Sequence, residues 1–184
     1  MITKKLALLN FSYLIGGQET FLFNLVLKLR NFYRIYLYIN INAWKLYLNE
    51  LDHPNVIIIN IGNFSYINFF NIRKKISKDY SLIISNGNRA IYFSCLFLMK
   101  FKILGIQHSL ISGHGHYLKR NLRLFLYKII TQRLSYLVGV SSKIFSGMDS
   151  SSNNIKIYNG VDTCIFRNKK SINNKLIHKY KTDS

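Results

Sequence analysis

His108 is the residue in this chain best suited to proton chemistry. It lies in Ile106-Gln107-His108-Ser109, where an apolar run gives way to polar residues. A histidine ending a strand points into the strand-end crevice, within reach of a hydroxyl substrate. The plainer reading is a polar residue that closes off a strand. Gly16-Gly17-Gln18-Glu19 lies between an apolar run and an amphipathic stretch. Glycines at such a junction let the backbone turn tightly and approach a ligand, while the first N–H groups of the following helix face an anion. The alternative is a tight turn with Glu19 complementing the helix dipole. Asn159-Gly160-Val161-Asp162, with Phe166 behind it, follows Ile155 to Tyr158. That is a strand, a turn at Asn-Gly and an aromatic anchor, or a simple hairpin turn.

Other chemistries fit less well. The glycine loop is not G-x-G-x-x-G, and the end of the second strand offers Asn40 and Asn42 where a nicotinamide dinucleotide needs an acidic partner for its ribose. His108, His114 and His116 are close in sequence, but no carboxylate or cysteine is near to complete a metal site, so none is expected. Cys95 and Cys164 form no C-x-x-C pattern. Cys95, in an apolar run, reads as a small core residue, and no disulfide framework is implied, which fits a reducing cytoplasm.

The elements that must position these residues alternate between short apolar runs and longer amphipathic ones, the pattern of a parallel α/β domain. Strands are predicted at Leu6 to Asn10, Arg34 to Ile41, Asn55 to Ile61, Tyr80 to Ser85, Lys102 to Gln107, Tyr136 to Val140 and Ile155 to Tyr158. The Val/Ile run from Asn55 to Ile61 reads as a strand buried on both faces. Phe21, Leu22, Leu25, Val26 and Leu29 recur at helical spacing and predict a helix over Gln18 to Asn31. Further helices fit near Phe64–Lys78, Arg89–Met99 and Tyr117–Leu134. Pro54 precedes a strand, where it costs no ladder hydrogen bond. The fold expected is a Rossmann-like, doubly wound and mostly parallel sheet with helices on both faces, whose ligands gather at the carboxyl ends of the strands.

Lys and Arg number 26 against 7 acidic residues, a net charge of +19, yet 49% of the chain is apolar. It therefore buries a core and presents a surface that attracts anions. The predicted helix at Tyr117–Leu134 carries Lys119, Arg120, Arg123, Lys128 and Arg133 among Leu and Tyr. This is either a solvated face or a contact with an anionic membrane. No recognition helix or stacking motif supports a nucleic-acid partner. The longest apolar stretch, Ile91 to Met99, is too short to span a bilayer. From Arg167 onward the chain is polar and reads as a linker or tail.

Taken in order, these features resemble a known family. A strand leads to G-G-x-E opening an apolar helix, and a later strand ends in His108. Val138-Gly139-Val140-Ser141-Ser142 then precedes I-K-I-Y-N-G-V-D-x-x-x-F. The chain thereby resembles the N-terminal, acceptor-side domain of family-four glycosyltransferases of the GT-B fold, over about residues 4 to 167. The resemblance implies a domain at 1–166 and a polar linker at 167–184 leading toward a C-terminal, donor-binding domain. It makes His108 the catalytic candidate, in contact with the transferred sugar or the acceptor. Gly16, Gly17, Glu19, Asn86, Ser109, Ser141, Asn159 and Gly160 are the substrate-binding candidates. Ser141 reads more as a helix N-cap, and Asp162 with Phe166 as architecture at the cleft. The donor-side E-x7-E motif of the family has no counterpart, since no Glu follows Glu50. The expected activity is hexosyl transfer from a nucleotide sugar to a cell-envelope glycan or lipid-linked acceptor, with the chain inactive alone and no cofactor held by it. A non-catalytic remnant that binds anionic glycolipid or a partner protein is the alternative. The expected location is cytoplasmic, peripheral on the inner membrane face.

Overall fold

The structure is a computed structural model that describes residues 4–63, 68–77, 79–109, 117–141, 144 and 154–157. Seven strands, β1 (Lys5–Asn10), β2 (Arg34–Ile39), β3 (Val56–Asn60), β4 (Leu82–Asn86), β5 (Ile103–Gln107), β6 (Tyr136–Gly139) and β7 (Asn154–Lys156), form one sheet in the order β3-β2-β1-β4-β5-β6-β7. Every pairing is parallel. The helices are α1 (Gly17–Leu29), α2 (Asn68–Lys75), α3 (Asn88–Phe97) and α4 (Tyr117–Thr131). The doubly wound α/β fold expected from the apolar runs is therefore the one observed.

Strand alternation explains why the runs are apolar throughout. Along β1, Ala7 and Leu9 face one core, with Ile72 of α2, Phe93 of α3 and Tyr127 of α4. Leu6 and Leu8 face the other, with Leu22, Phe23 and Val26 of α1. Both faces of the sheet are thus covered, and a side chain pointing either way must be hydrophobic. The second core also takes Trp44 and Leu51, both fully buried, from the irregular segment 41–51 between β2 and β3. That segment roofs the sheet beside α1, where no element was predicted.

The run at β3 departs from expectation. Val56 to Ile59 are only half-buried, because β3 is the edge strand and no strand among the described residues pairs with its outer flank. An unbroken Val/Ile run signals apolar contact on both faces but not a central place in the sheet. Pro54 precedes this edge strand, where a missing N–H is tolerated.

The sheet order reverses between β1 and β4: successive strands run outward from β1 through β2 to β3, then restart on its other side with β4. Crossovers leave the carboxyl ends of these two strands in opposite directions, opening a crevice there. Asn10 and Asn86 end the two strands in register, side by side.

Candidate functional site

Both asparagines at the crevice are buried, and each uses both its amide nitrogen and its amide oxygen in hydrogen bonds. The Asn10 side chain accepts from the Ser12 N–H at 3.1 Å and donates to Glu19 Oε1 at 3.2 Å. Glu19 Oε2 accepts from the Gly16 N–H at 2.8 Å. Glu19 is itself buried, so its carboxylate is tolerated only because both oxygens are engaged and it lies in the first turn of α1. It fastens the loop 11–16 to the end of β1.

Asn86 performs the wider connection. Its Nδ2 donates to the Gln18 carbonyl at 3.0 Å, and its Oδ1 lies 2.8 Å from His108 Nε2. One amide therefore ties the first turn of α1 to the residue after β5, across the end of β4. The network also sets the histidine tautomer. Because Asn86 Oδ1 can only accept, Nε2 carries the proton and Nδ1 keeps the lone pair. The ring of Phe21 meets the imidazole edge-on, with centroids 5.2 Å apart. Burial lowers the His108 pKa below its ordinary value, with the Glu19 charge opposing that shift. His108 is thus a neutral imidazole with a defined acceptor nitrogen.

The glycine pair has a different basis from the one its sequence suggested. Gly16 is extended, with φ −152° and ψ −164°, and Gly17 is the first residue of α1. Neither lies in the left-handed region, so the tight-turn argument fails for both. What remains is space: a Cβ on Gly17 would meet nothing within 4 Å. At this rim the conformationally demanding glycine is Gly87, between β4 and α3, with φ +85°. A Cβ there would also lie 2.8 Å from Gln18 Oε1.

On the β5 side, Gln107 is fully buried. It accepts from the Tyr127 hydroxyl and donates from Nε2 to the Ser109 carbonyl at 2.9 Å, fixing the chain as it leaves the strand. Ser109 is exposed, and its Oγ lies 3.4 Å from Asn88 Nδ2. Arg89, exposed in the first turn of α3, reaches over loop 11–16 and stacks 4.7 Å above the Tyr13 ring. Asn10, Gln107 and Arg89 were not singled out from the sequence. The available signal for the first two was a polar residue ending an otherwise apolar strand.

Gly16, Gly17, Glu19, Asn86, His108 and Ser109 thus share one rim. Ser141 follows β6 at the same strand ends, and its carbonyl accepts from the Ile144 N–H at 3.2 Å. Asn159, Gly160, Asp162, Phe166, His114 and His116 lie outside the described residues. Among the described residues no cluster of His, Cys, Asp or Glu could hold a metal ion.

The chain folds like HepE of Anabaena. It superposes on that protein in complex with UDP and glucose with a TM-score of 0.66 and 18% identity. The UDP-glucose complex gives 0.66 and 16%, and the UDP complex 0.63 and 16%. In all three cases the match covers 87% of this chain but 45% of the HepE chain, so this chain spans less than half of HepE. No family model and no curated protein sequence matches it.

Proposed function

We propose that this chain is the acceptor-side lobe of a GT-B sugar transferase of family four, acting with a donor-binding lobe to move a hexose from a nucleotide sugar to a cell-envelope glycan or lipid-linked acceptor. The observation that carries the proposal is the Asn86 bridge, which joins the glycine loop to His108 at the switch point of the sheet. Two of the three motifs on which the family resemblance rests come from those places; the third, Asn159-Gly160-Val161-Asp162 with Phe166, lies outside the described residues. Likeness in fold to HepE, whose complexes contain UDP and UDP-glucose, supports the same reading.

In this reading the acceptor nitrogen of His108, Nδ1, takes a hydrogen bond from a hydroxyl of the sugar or acceptor. Asn86 holds the imidazole in the tautomer that permits it. The open space above Gly17 lets phosphate oxygens approach the N–H groups at the start of α1. Glu19 positions the loop from below, and Ser109 borders the acceptor. The resemblance assigns Ser141 to a helix cap and Asn159 and Gly160 to the segment that leads toward the second domain.

Two measurements test this. Incubated with UDP-glucose and a hexose-terminated glycan, the 184-residue chain is expected to show negligible turnover. Sugar transfer at ordinary enzyme rates would refute the assignment to one lobe. Titration of the labelled chain with a detergent-solubilised glycolipid should shift the His108 ring signals and the Gly17 and Ser109 amides. Shifts confined to other parts of the molecule would remove the rim as the acceptor site.

A further inference from the structure

Edge strands invite a second chain, because their outward N–H and C=O groups have no ladder to join. Proteins usually blunt them with lysine, shortness or cover. At one edge of the sheet β7 is three residues long and includes Lys156. At the other, β3 is five residues long, four of them Val or Ile. Residues 46–72 contain no Lys or Arg, although the chain has 26. This edge is therefore bare of cations in a protein rich in them.

The groups it offers follow from the β2 ladder. The Asn55 carbonyl accepts from the Ile35 N–H at 2.7 Å, and the Ile61 N–H donates to the Ile39 carbonyl at 3.0 Å. Odd-numbered residues of β3 thus face β2, and Val56, Ile58 and Asn60 turn their backbone groups outward. Two of those groups are already used. The Val56 N–H donates to the His53 carbonyl at 2.9 Å, and the Asn60 carbonyl accepts from Lys75 Nζ at 3.2 Å. Among the described residues the Val56 carbonyl, both Ile58 groups and the Asn60 N–H have no partner.

We infer that β3 pairs antiparallel with β3 of a second copy, about a two-fold axis at Ile58, joining the two sheets edge to edge. The free groups are self-complementary in that register. Each Ile58 exchanges both bonds with the other Ile58, and each Asn60 N–H reaches the Val56 carbonyl of the other copy. The ladder bond left unmade is the one between the Val56 N–H and the Asn60 carbonyl, the two groups already satisfied. The facing Ile58 side chains share the face that holds a hollow lined by Leu48, Leu51, Asp52 and Val56. Antiparallel pairing also sets the acidic approach to one strand, Glu50 and Asp52, against the exit of the other, where Lys75 lies at Asn60. A net +19 on each chain opposes association, but residues 54–63 at the axis carry no charge. At about 0.15 M salt the remaining repulsion is screened beyond roughly 8 Å. The pairing is independent of the sugar-transfer reading, so either can fail without the other.

Analytical ultracentrifugation of the full chain at constant salt, from about 1 μM to about 0.1 mM, should show a monomer giving way to a dimer. Over the same range, amide hydrogen exchange should slow at Ile58 and Asn60 by about tenfold or more, while Ile57 and Ile59, bonded to β2, stay protected throughout. Ile58→Pro removes the central donor but leaves the β2 ladder whole, since that ladder uses the odd-numbered residues. It should weaken dimerisation by about tenfold or more. Ile57→Lys, which sets a charge opposite Ile59 of the other copy, should weaken it similarly. Circular dichroism checks that each variant is folded, and hydrogen exchange on the unaltered chain decides the matter if neither is. A monomer throughout the range, a dimer whose Ile58 and Asn60 amides exchange at monomer rates, or an unchanged dimer in a folded Ile58→Pro protein would overturn the inference. So would slow exchange at these amides that does not depend on concentration, the sign of another part of this chain lying over the edge.

Discussion

At the residue scale the rim rests on the relation between Asn86 and His108. The imidazole is held neutral by burial, so its folded pKa lies below the ordinary 6.5. The sign of the consequence follows directly. As pH falls below 6.5 the unfolded chain takes up this proton before the folded one, so His108 favours unfolding progressively until the folded pKa is passed. Stability measured by denaturant titration should fall over that window, and His108→Gln should flatten the fall. Asn86→Asp tests the geometry. It puts a carboxylate where Oδ1 lies 2.8 Å from Nε2, favouring the imidazolium, and removes the donor to the Gln18 carbonyl. The His108 pKa should rise by NMR titration, with a stability loss of about 1–3 kcal/mol because a carboxylate oxygen replaces the donor that faced the Gln18 carbonyl. An unchanged His108 titration in a folded Asn86→Asp protein would mean that the two side chains do not meet.

At the scale of elements, the two glycine positions separate fold from function. Gly87 at φ +85° begins α3, and any side chain there is strained and meets Gln18. Gly87→Ala should cost about 1–3 kcal/mol by chemical denaturation. Gly17 has open space and helical backbone, so Gly17→Ala should leave stability unchanged or raise it by up to about 1 kcal/mol while reducing ligand binding at the rim. A large loss of stability in Gly17→Ala would show that the glycine serves packing instead. The strands were legible because apolar runs mark both-face burial, and α1 because its apolar residues recur at helical spacing. The 41–51 segment was missed although Trp44, Tyr47, Leu48 and Leu51 recur at helical spacing and pack into the core, because its backbone is a run of hydrogen-bonded turns and not a regular helix. The bridge from Asn86 to His108 was hidden. The residues are 22 apart and become neighbours only through the β4-β5 pairing. The edge position of β3 likewise depends on strand order, which a Val/Ile run does not encode.

At the scale of the whole molecule, charge and ligand binding must be told apart. A net +19 repels itself within the folded volume, and Lys5 with Asp79 is the one ion pair among the described residues. Screening should therefore raise the melting temperature as NaCl increases from about 0.01 M to about 0.15 M. Any anion will share in this, including a nucleotide sugar, so stabilisation by UDP-glucose means nothing until ionic strength is matched. If the donor is held chiefly by the other lobe, UDP-glucose at matched ionic strength should raise the melting temperature of this chain no more than sulfate does. A ligand bound at a site of its own would add stability that grows with the logarithm of its concentration, well after screening has saturated. Such an excess, lost in Gly17→Ala, would place a donor site on this chain and give the rim a larger share of the chemistry than an acceptor-side lobe requires.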